Sequence, residues 1–297
     1  MKLKAMIIRN VKLFFKDKGM FFTSMVTPMI LLVLYVTFLG KTYTDSFRAA
    51  VPEGHMFSDG LIEATVGGEL ISSILAVCCV TVAFCSNMLM VQDKVSGARN
   101  DLLIAPVKRS VLALGYYIAT VFSTLIVCVV ALGAGLLYVR SVGWYMSVSD
   151  IAWILLDIVI LVLFGTALSS IINIFLSTQG QISAVGTIVS AGYGFICGAY
   201  MPISNFGEGL RKVLSFLPGT YGTSLLRNHA MRGVFGQMRA DGFPAEVVEG
   251  IKESVDCKLY FFGNEVTTTM MYLYLGATVI VLIAVYVLLH AGTRTRK

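Results

Sequence analysis

Charge is what this sequence has least of. Of 297 residues only 13% are Asp, Glu, Lys or Arg, against 57% hydrophobic. Soluble domains carry about 25% charged residues, so a water-soluble globule is excluded. Histidine is down to three residues, and His55, His229 and His290 stand apart with no metal-ligand spacing. A phosphate loop is missing as well. The only GK[ST] is Gly40-Lys41-Thr42, with Tyr35 where G-x-x-x-x-G-K-[ST] needs its first glycine. Neither a nucleophile elbow nor an H-E-x-x-H pair occurs. No enzyme activity and no cofactor are therefore expected on this chain. The six cysteines do not make a disulfide framework: Cys78, Cys79, Cys85, Cys128 and Cys197 lie in apolar runs as small hydrophobes, and Cys257 has no evident partner.

What is present is a series of long, unbroken apolar runs. They exceed the roughly 20 residues that cross a bilayer as a helix and lack the alternation over about ten residues of a membrane β-barrel. The expected fold class is an all-α polytopic membrane protein. Six transmembrane helices are read over residues 20–40, 69–92, 111–139, 151–177, 182–201 and 267–291, the first with a kink at Pro28. The basic start is followed by a run too long for the 7–15 residues or so of a signal peptide's apolar region, so it should stay in the membrane.

Lysine and arginine orient the chain. Lys2, Lys4, Arg9, Lys12, Lys16 and Lys18 precede the first span; Lys94, Arg99, Lys108 and Arg109 fill loop 93–110; Arg294, Arg296 and Lys297 end the chain. Loop 41–60 has only Lys41 and Arg48, against Asp45, Glu53 and Asp59. Both termini are therefore expected in the cytoplasm of a multi-pass cell-membrane protein. The net charge of +6 sits beside apolar spans, which points to a membrane surface and away from nucleic acid.

The chain reads as one membrane domain, 1–297, with three distinct polar parts. Residues 1–19 form an amphipathic interfacial helix, with Lys2, Arg9, Lys12 and Lys16 on one stripe and Leu3, Ile7, Val11, Phe14 and Phe15 opposite. It serves either as a lipid anchor or also as a contact for a cytoplasmic partner. Segment 202–266 carries seven basic and seven acidic residues and is expected outside. It should hold two short re-entrant helices separated at Pro218-Gly219, then a water-exposed helix beginning near Pro244. Loop 93–110 packs four basic and two acidic residues around a short helix, about Ser96 to Ala105, capped by Ser96 and ended by Pro106.

The pattern Gly97-x-Arg99-x-x-Leu102-Leu103-x-x-Pro106-Val107 resembles the cytoplasmic loop of ABC-2-type permeases, the transmembrane subunits of ATP-driven exporters. The resemblance covers essentially the whole chain, and "FLPGTYGTSLLRNHAMRG" is similar to that family's outer re-entrant segment. Val95-Ser96 stands where the family often has an acidic residue, and Asn100-Asp101 where it usually has glutamate. The resemblance implies a six-spanning permease with an N-terminal connecting helix and a coupling helix in 93–110. Separate ABC ATPase subunits, holding ATP and magnesium, would dock on Gly97, Arg99, Leu102, Leu103 and Pro106, with Arg9 and Lys12 alongside. A second permease subunit, identical or not, and an amphiphilic substrate such as a drug, lipid or peptide complete the expected set of partners.

The small residues Gly186, Ser190, Gly194 and Gly198 recur every four positions in the fifth span. That face either packs within the subunit or forms a dimer seam; the resemblance implies that spans two and five flank the translocation path, with Thr81 and Asn87 of the second span beside it. Glu69 is expected near water at the outer end of the second span. Asp157, two turns into the fourth, suits an interhelical hydrogen bond or a proton or substrate role. Two other classes compete: a secondary carrier of inverted halves, and a non-transporting assembly or sensor subunit.

Overall fold

Each apolar run folds as a helix, since in lipid a helix alone satisfies its own backbone. The computed structural model describes residues 2–49, 58–104 and 109–292. Among them, α1 (Lys2–Lys16) leads to α2 (Lys18–Leu34), a π-helical turn (Tyr35–Leu39) and α3 (Gly40–Ala49). These are followed by α4 (Asp59–Asn87), α5 (Leu89–Val95), α6 (Ala98–Ile104), α7 (Arg109–Val142), α8 (Val148–Phe175) and α9 (Gln179–Ile196). The segment 208–266 holds α10 (Glu208–Leu214), α11 (Pro218–Ala240), α12 (Ala245–Ser254) and an antiparallel hairpin, β1 (Leu259–Phe261) with β2 (Asn264–Val266); α13 (Thr268–Gly292) follows.

Among the described residues, five helices are long and apolar enough to cross a membrane: Lys18–Arg48, Asp59–Val95, Ser110–Val142, Val148–Phe175 and Thr268–Leu289. The 18-residue α9 is less apolar, with Gln179 and Gln181 in its first turn. Helix starts follow local chemistry. Ser147 with Asp150 and Thr178 with Gln181 form capping boxes that satisfy the first free N–H groups of α8 and α9.

The core is organised on α4, which touches α2, α7, α8 and α11. In its most apolar stretch 94% of residues are buried, against 17% in that of α13, which lies at the edge of the bundle. Close approach is set by Gly165 of α8, where a Cβ would come within 2.9 Å of the Cys79 carbonyl.

Three expectations are corrected. The second span begins at Asp59, ten residues before Glu69: Asp59 and Glu63 stay exposed while Leu61, Ile62, Ala64 and Thr65 pack inward. The helix after Pro218 is not short: α11 runs 23 residues, with Pro218 in its first turn, where a missing N–H costs nothing. It is also buried within the bundle, with Leu225, Leu226, Arg227 and Met231 inaccessible. In the 93–110 loop, Gly97 has φ +81° and separates α5 from α6, so the short helix starts at Ala98 rather than Ser96. The helix expected near Pro244 is α12, with Pro244 at its N-cap. The hairpin has no counterpart in the sequence reading.

Candidate functional site

The N-terminal helix is held to the bundle by one buried row. Met6, Asn10 and Phe14, spaced by four, pack inward, largely against α7. Lys12 is exposed, and Ile8, Leu13 and Phe15 remain partly open on the apolar side. Arg9 is not free. Its guanidinium grips the Asp93 carboxylate with two bonds, 2.7 and 3.0 Å. Asp93 is 5% exposed and also accepts the Tyr116 hydroxyl at 2.5 Å. The hydrogen bonds that Arg9 donates to Asp93 raise the Arg9 pKa above its ordinary value. This clamp ties α1, α5 and α7 at one point.

Next in sequence, Lys94 reaches a fourth helix. Its ammonium donates to the carbonyls of Asn173, Ile174 and Leu176 at 3.0, 2.9 and 3.1 Å, capping the last turn of α8. Segment 93–94 therefore anchors α6 to three helices of the bundle. Arg99 is half-buried, and Leu102 leans on the core of its own subunit. The apolar group most on offer is Ile104, 84% exposed, with Val95 at 46%. Pro106, with Val107 and Lys108, lies outside the described residues, as do Arg294, Arg296, Lys297 and the side chain of Leu103.

The small residues of α9 face partners in the same subunit. A Cβ on Gly186 would come within 2.9 Å of the Met88 methyl, and one on Gly194 within 2.5 Å of the Tyr200 ring. The Ser190 carbonyl accepts the Thr27 hydroxyl at 3.2 Å, and Gly198 turns the chain at φ +78°. The open face of α9 is the opposite one, with Thr187, Ile188, Ala191 and Phe195. Thr81 and Asn87 are 1% exposed. Asn87 donates to the Ser169 and Ser170 hydroxyls at 2.9 and 2.8 Å, while Thr81 bonds the Val77 carbonyl of its own helix.

Two polar clusters hold the other end of the bundle. Arg227 on α11 is fully buried, 2.5 Å from Glu69 Oε1 and 3.3 Å from Asp256 Oδ2, and it donates to the Gly198 carbonyl at 2.7 Å. Glu69 is thus sealed in the core, not near water: its 0% exposure corrects the sequence reading. Burial raises the Asp256 pKa, opposed by Arg227 and by the N–H groups of Ile203 and Ser204. Asp157 makes the interhelical bonds expected of it, to His229 Nδ1 at 2.7 Å and from the Tyr272 hydroxyl at 2.5 Å. Trp153 stacks on His229 at 5.5 Å.

Residues 60–286 match the family described as ABC-2 family transporter protein. The chain belongs to the ABC-2 family. No curated protein and no solved structure matches it. As an ABC-2 chain it is a membrane component of an ABC transporter, a class that works in association with ABC ATPase subunits. The sequence pattern of this ABC-2 protein singled out Arg9 and the 93–110 loop. It did not show Asp93, Lys94 and Tyr116 as the groups that fix them, because each bond closes between helices far apart in the chain. Asp93 and Lys94 carried one available signal: adjacent opposite charges at the very end of an apolar run.

Proposed function

We propose that this protein is the permease subunit of an ATP-driven exporter that moves an amphiphilic drug, lipid or peptide out of the cytoplasm or inner leaflet. Two permease subunits work with two separate ATPase subunits, which hold ATP and magnesium. In this reading α9 completes six spans, both termini are cytoplasmic in the cell membrane, and 202–266 faces outward. The exposed side of α9, with Ile188 and Ala191, is the seam between subunits, beside the path.

The observation that carries the reading is the mounting of α6. A plain inter-span turn needs no buried Asp93 gripped by Arg9 and Tyr116, nor a lysine sealing the end of α8. Mounted so, a push on α6 passes through α5 into α4, the helix on which the core is built. ATPase closure would act on Arg99, Leu102, Leu103 and the exposed Ile104, with Lys12 at the edge, and switch the path from inward-open to outward-open.

Serine substitution tests this. Truncating apolar anchors at an interface costs about 2 kcal/mol or more. Leu102→Ser with Leu103→Ser, and Ile104→Ser alone, should leave the protein inserted yet abolish transport and the response of ATPase rate to substrate. Arg99→Ala should lose only part, since an exposed ion pair is worth about 0–1 kcal/mol. Normal ATPase copurification and normal transport in both serine variants would remove the coupling role.

A further inference from the structure

A cavity of about 550 Å³ lies between α10 and the β1–β2 hairpin. Helix α10 is amphipathic across it: Glu208, Arg211 and Lys212 line the cavity. Leu210, Val213 and the following Phe216 are exposed, at 49, 59 and 51%. Phe216 packs edge-on against Phe261 and Phe262, at 5.1 and 5.8 Å, so the apolar ledge continues onto the hairpin tip. The Tyr274 hydroxyl donates to the Phe216 carbonyl at 2.7 Å. Tyr274 lies less than two turns into α13, about 9 Å from its start at the helical rise. The ledge is therefore fixed level with the end of a membrane span, where an amphipathic surface meets headgroups on one side and acyl chains on the other.

The charges lining this cavity balance, three acidic (Glu208, Glu253, Asp256) against three basic (Arg211, Lys212, Lys258). Most are already paired. Lys212 holds Glu208 at 2.7 Å, Lys258 holds Glu249 at 2.9 Å, and Asp256 meets Arg227. Two opposite charges are left. Among the described residues Arg211 has no ion-pair partner, and the Glu253 carboxylate accepts only the Tyr260 hydroxyl. Beside Glu253 stand the exposed rings of Tyr260 and Phe262. An arginine fork suits a phosphate. A carboxylate next to aromatic faces suits an ammonium group.

We propose that this cavity binds the zwitterionic headgroup of a membrane phospholipid. The phosphate lies at Arg211, the ammonium lies at Glu253 between Tyr260 and Phe262, and an acyl chain runs along Leu210, Val213 and Phe216. The balanced lining disfavours a purely anionic headgroup. This inference rests on the export reading only for the side of the membrane; binding itself is independent of transport.

The test is native mass spectrometry of the purified full-length protein in micelles doped with phosphatidylethanolamine, phosphatidylcholine or phosphatidylglycerol. Phosphatidylethanolamine and phosphatidylcholine should be retained over phosphatidylglycerol. Arg211→Gln and Glu253→Gln should each weaken that retention about tenfold, the scale of one charge-assisted contact. Both side chains are exposed, so thermal unfolding should not move, and Arg211→Lys should keep part of the retention. Equal retention of phosphatidylglycerol, or unchanged retention in both glutamine variants, overturns the proposal. So does soluble glycerophosphoethanolamine competing as well as the lipid.

Discussion

Replacing Arg227 with methionine should cost about 5 kcal/mol, a large share of the roughly 5–15 kcal/mol that holds a domain together. Removing one partner of a buried ion pair costs about 3–5 kcal/mol, because the other charge stays buried without compensation. Two carboxylates depend on Arg227, and they do not depend on it equally. Asp256 keeps the N–H groups of Ile203 and Ser204, at 2.5 and 3.1 Å. Among the described residues Glu69 has no other partner: neither of its oxygens makes a hydrogen bond, and the Arg227 guanidinium 2.5 Å away is its one support. Glu69 therefore carries most of the loss, which places the figure at the upper end. Adding Glu69→Leu to Arg227→Met removes the stranded charge and should return about 2–3 kcal/mol. The assay is a double-mutant cycle on reversible unfolding of the micelle-solubilised protein. If the two substitutions add within about 0.5 kcal/mol, the charges are not coupled and the argument fails.

Asp93→Asn keeps the shape of the clamp but removes its charge. With Arg9 still 31% exposed, the expected cost is about 2 kcal/mol, below that of a sealed pair. Limited trypsin digestion should then cut at Lys12 or Lys16 sooner, and an unchanged cleavage rate would show that α1 is held without the clamp. Gly194→Leu drives a side chain into the Tyr200 ring, whereas a Cβ at Gly192 meets nothing within 4 Å. The first should lose about 1–3 kcal/mol through overpacking and the second almost none. Gly192→Leu should instead weaken self-association if the open face of α9 is the seam. Equal unfolding of the two variants would contradict the packing described.

Five of the expected spans were legible because lipid demands what a reader can see, long runs with little charge. Asp59, Glu63 and Glu69 break the apolar run of the second span, which hides its start; Asp59 and Glu63 stay exposed, and Glu69 is accommodated by Arg227 of a distant helix. The same holds for α11. Arg227 and His229 look like surface residues until Glu69 and Asp157 arrive from other helices and Asp256 from the turn after α12. Pro218 reads equally as an interruption or a beginning, and the bundle decides for a beginning. The hairpin rests on three residues per strand and a turn with Phe262 and Gly263 at φ 48° and 87°. A phenylalanine there gives no turn signal of the usual Asn-Gly kind. In the loop, the glycine that sets the geometry was visible and the ion pair that mounts it was not.

The wide turn at Tyr35–Leu39 has a consequence for length changes in the first span. Eight residues separate Tyr35 from Tyr43, which in a regular helix at about 3.6 residues per turn would leave them roughly 80° apart. The π turn absorbs one extra residue, so eight act as seven, close to two full turns. Tyr43 therefore stands over Tyr35 with rings 5.7 Å apart, and Phe47 continues the column at 6.1 Å. Deleting a single residue from Val36–Leu39 would let the turn close as regular α-helix, and the seven residues left between the two tyrosine positions turn about 700°, so everything beyond keeps its orientation. Phe47, 3% exposed, would stay inward, and the aromatic column would survive the loss, whereas a residue deleted within α3 ahead of Phe47 would swing that ring by about 100°. Local regularity and global register are thus opposed at this point, and the molecule keeps register.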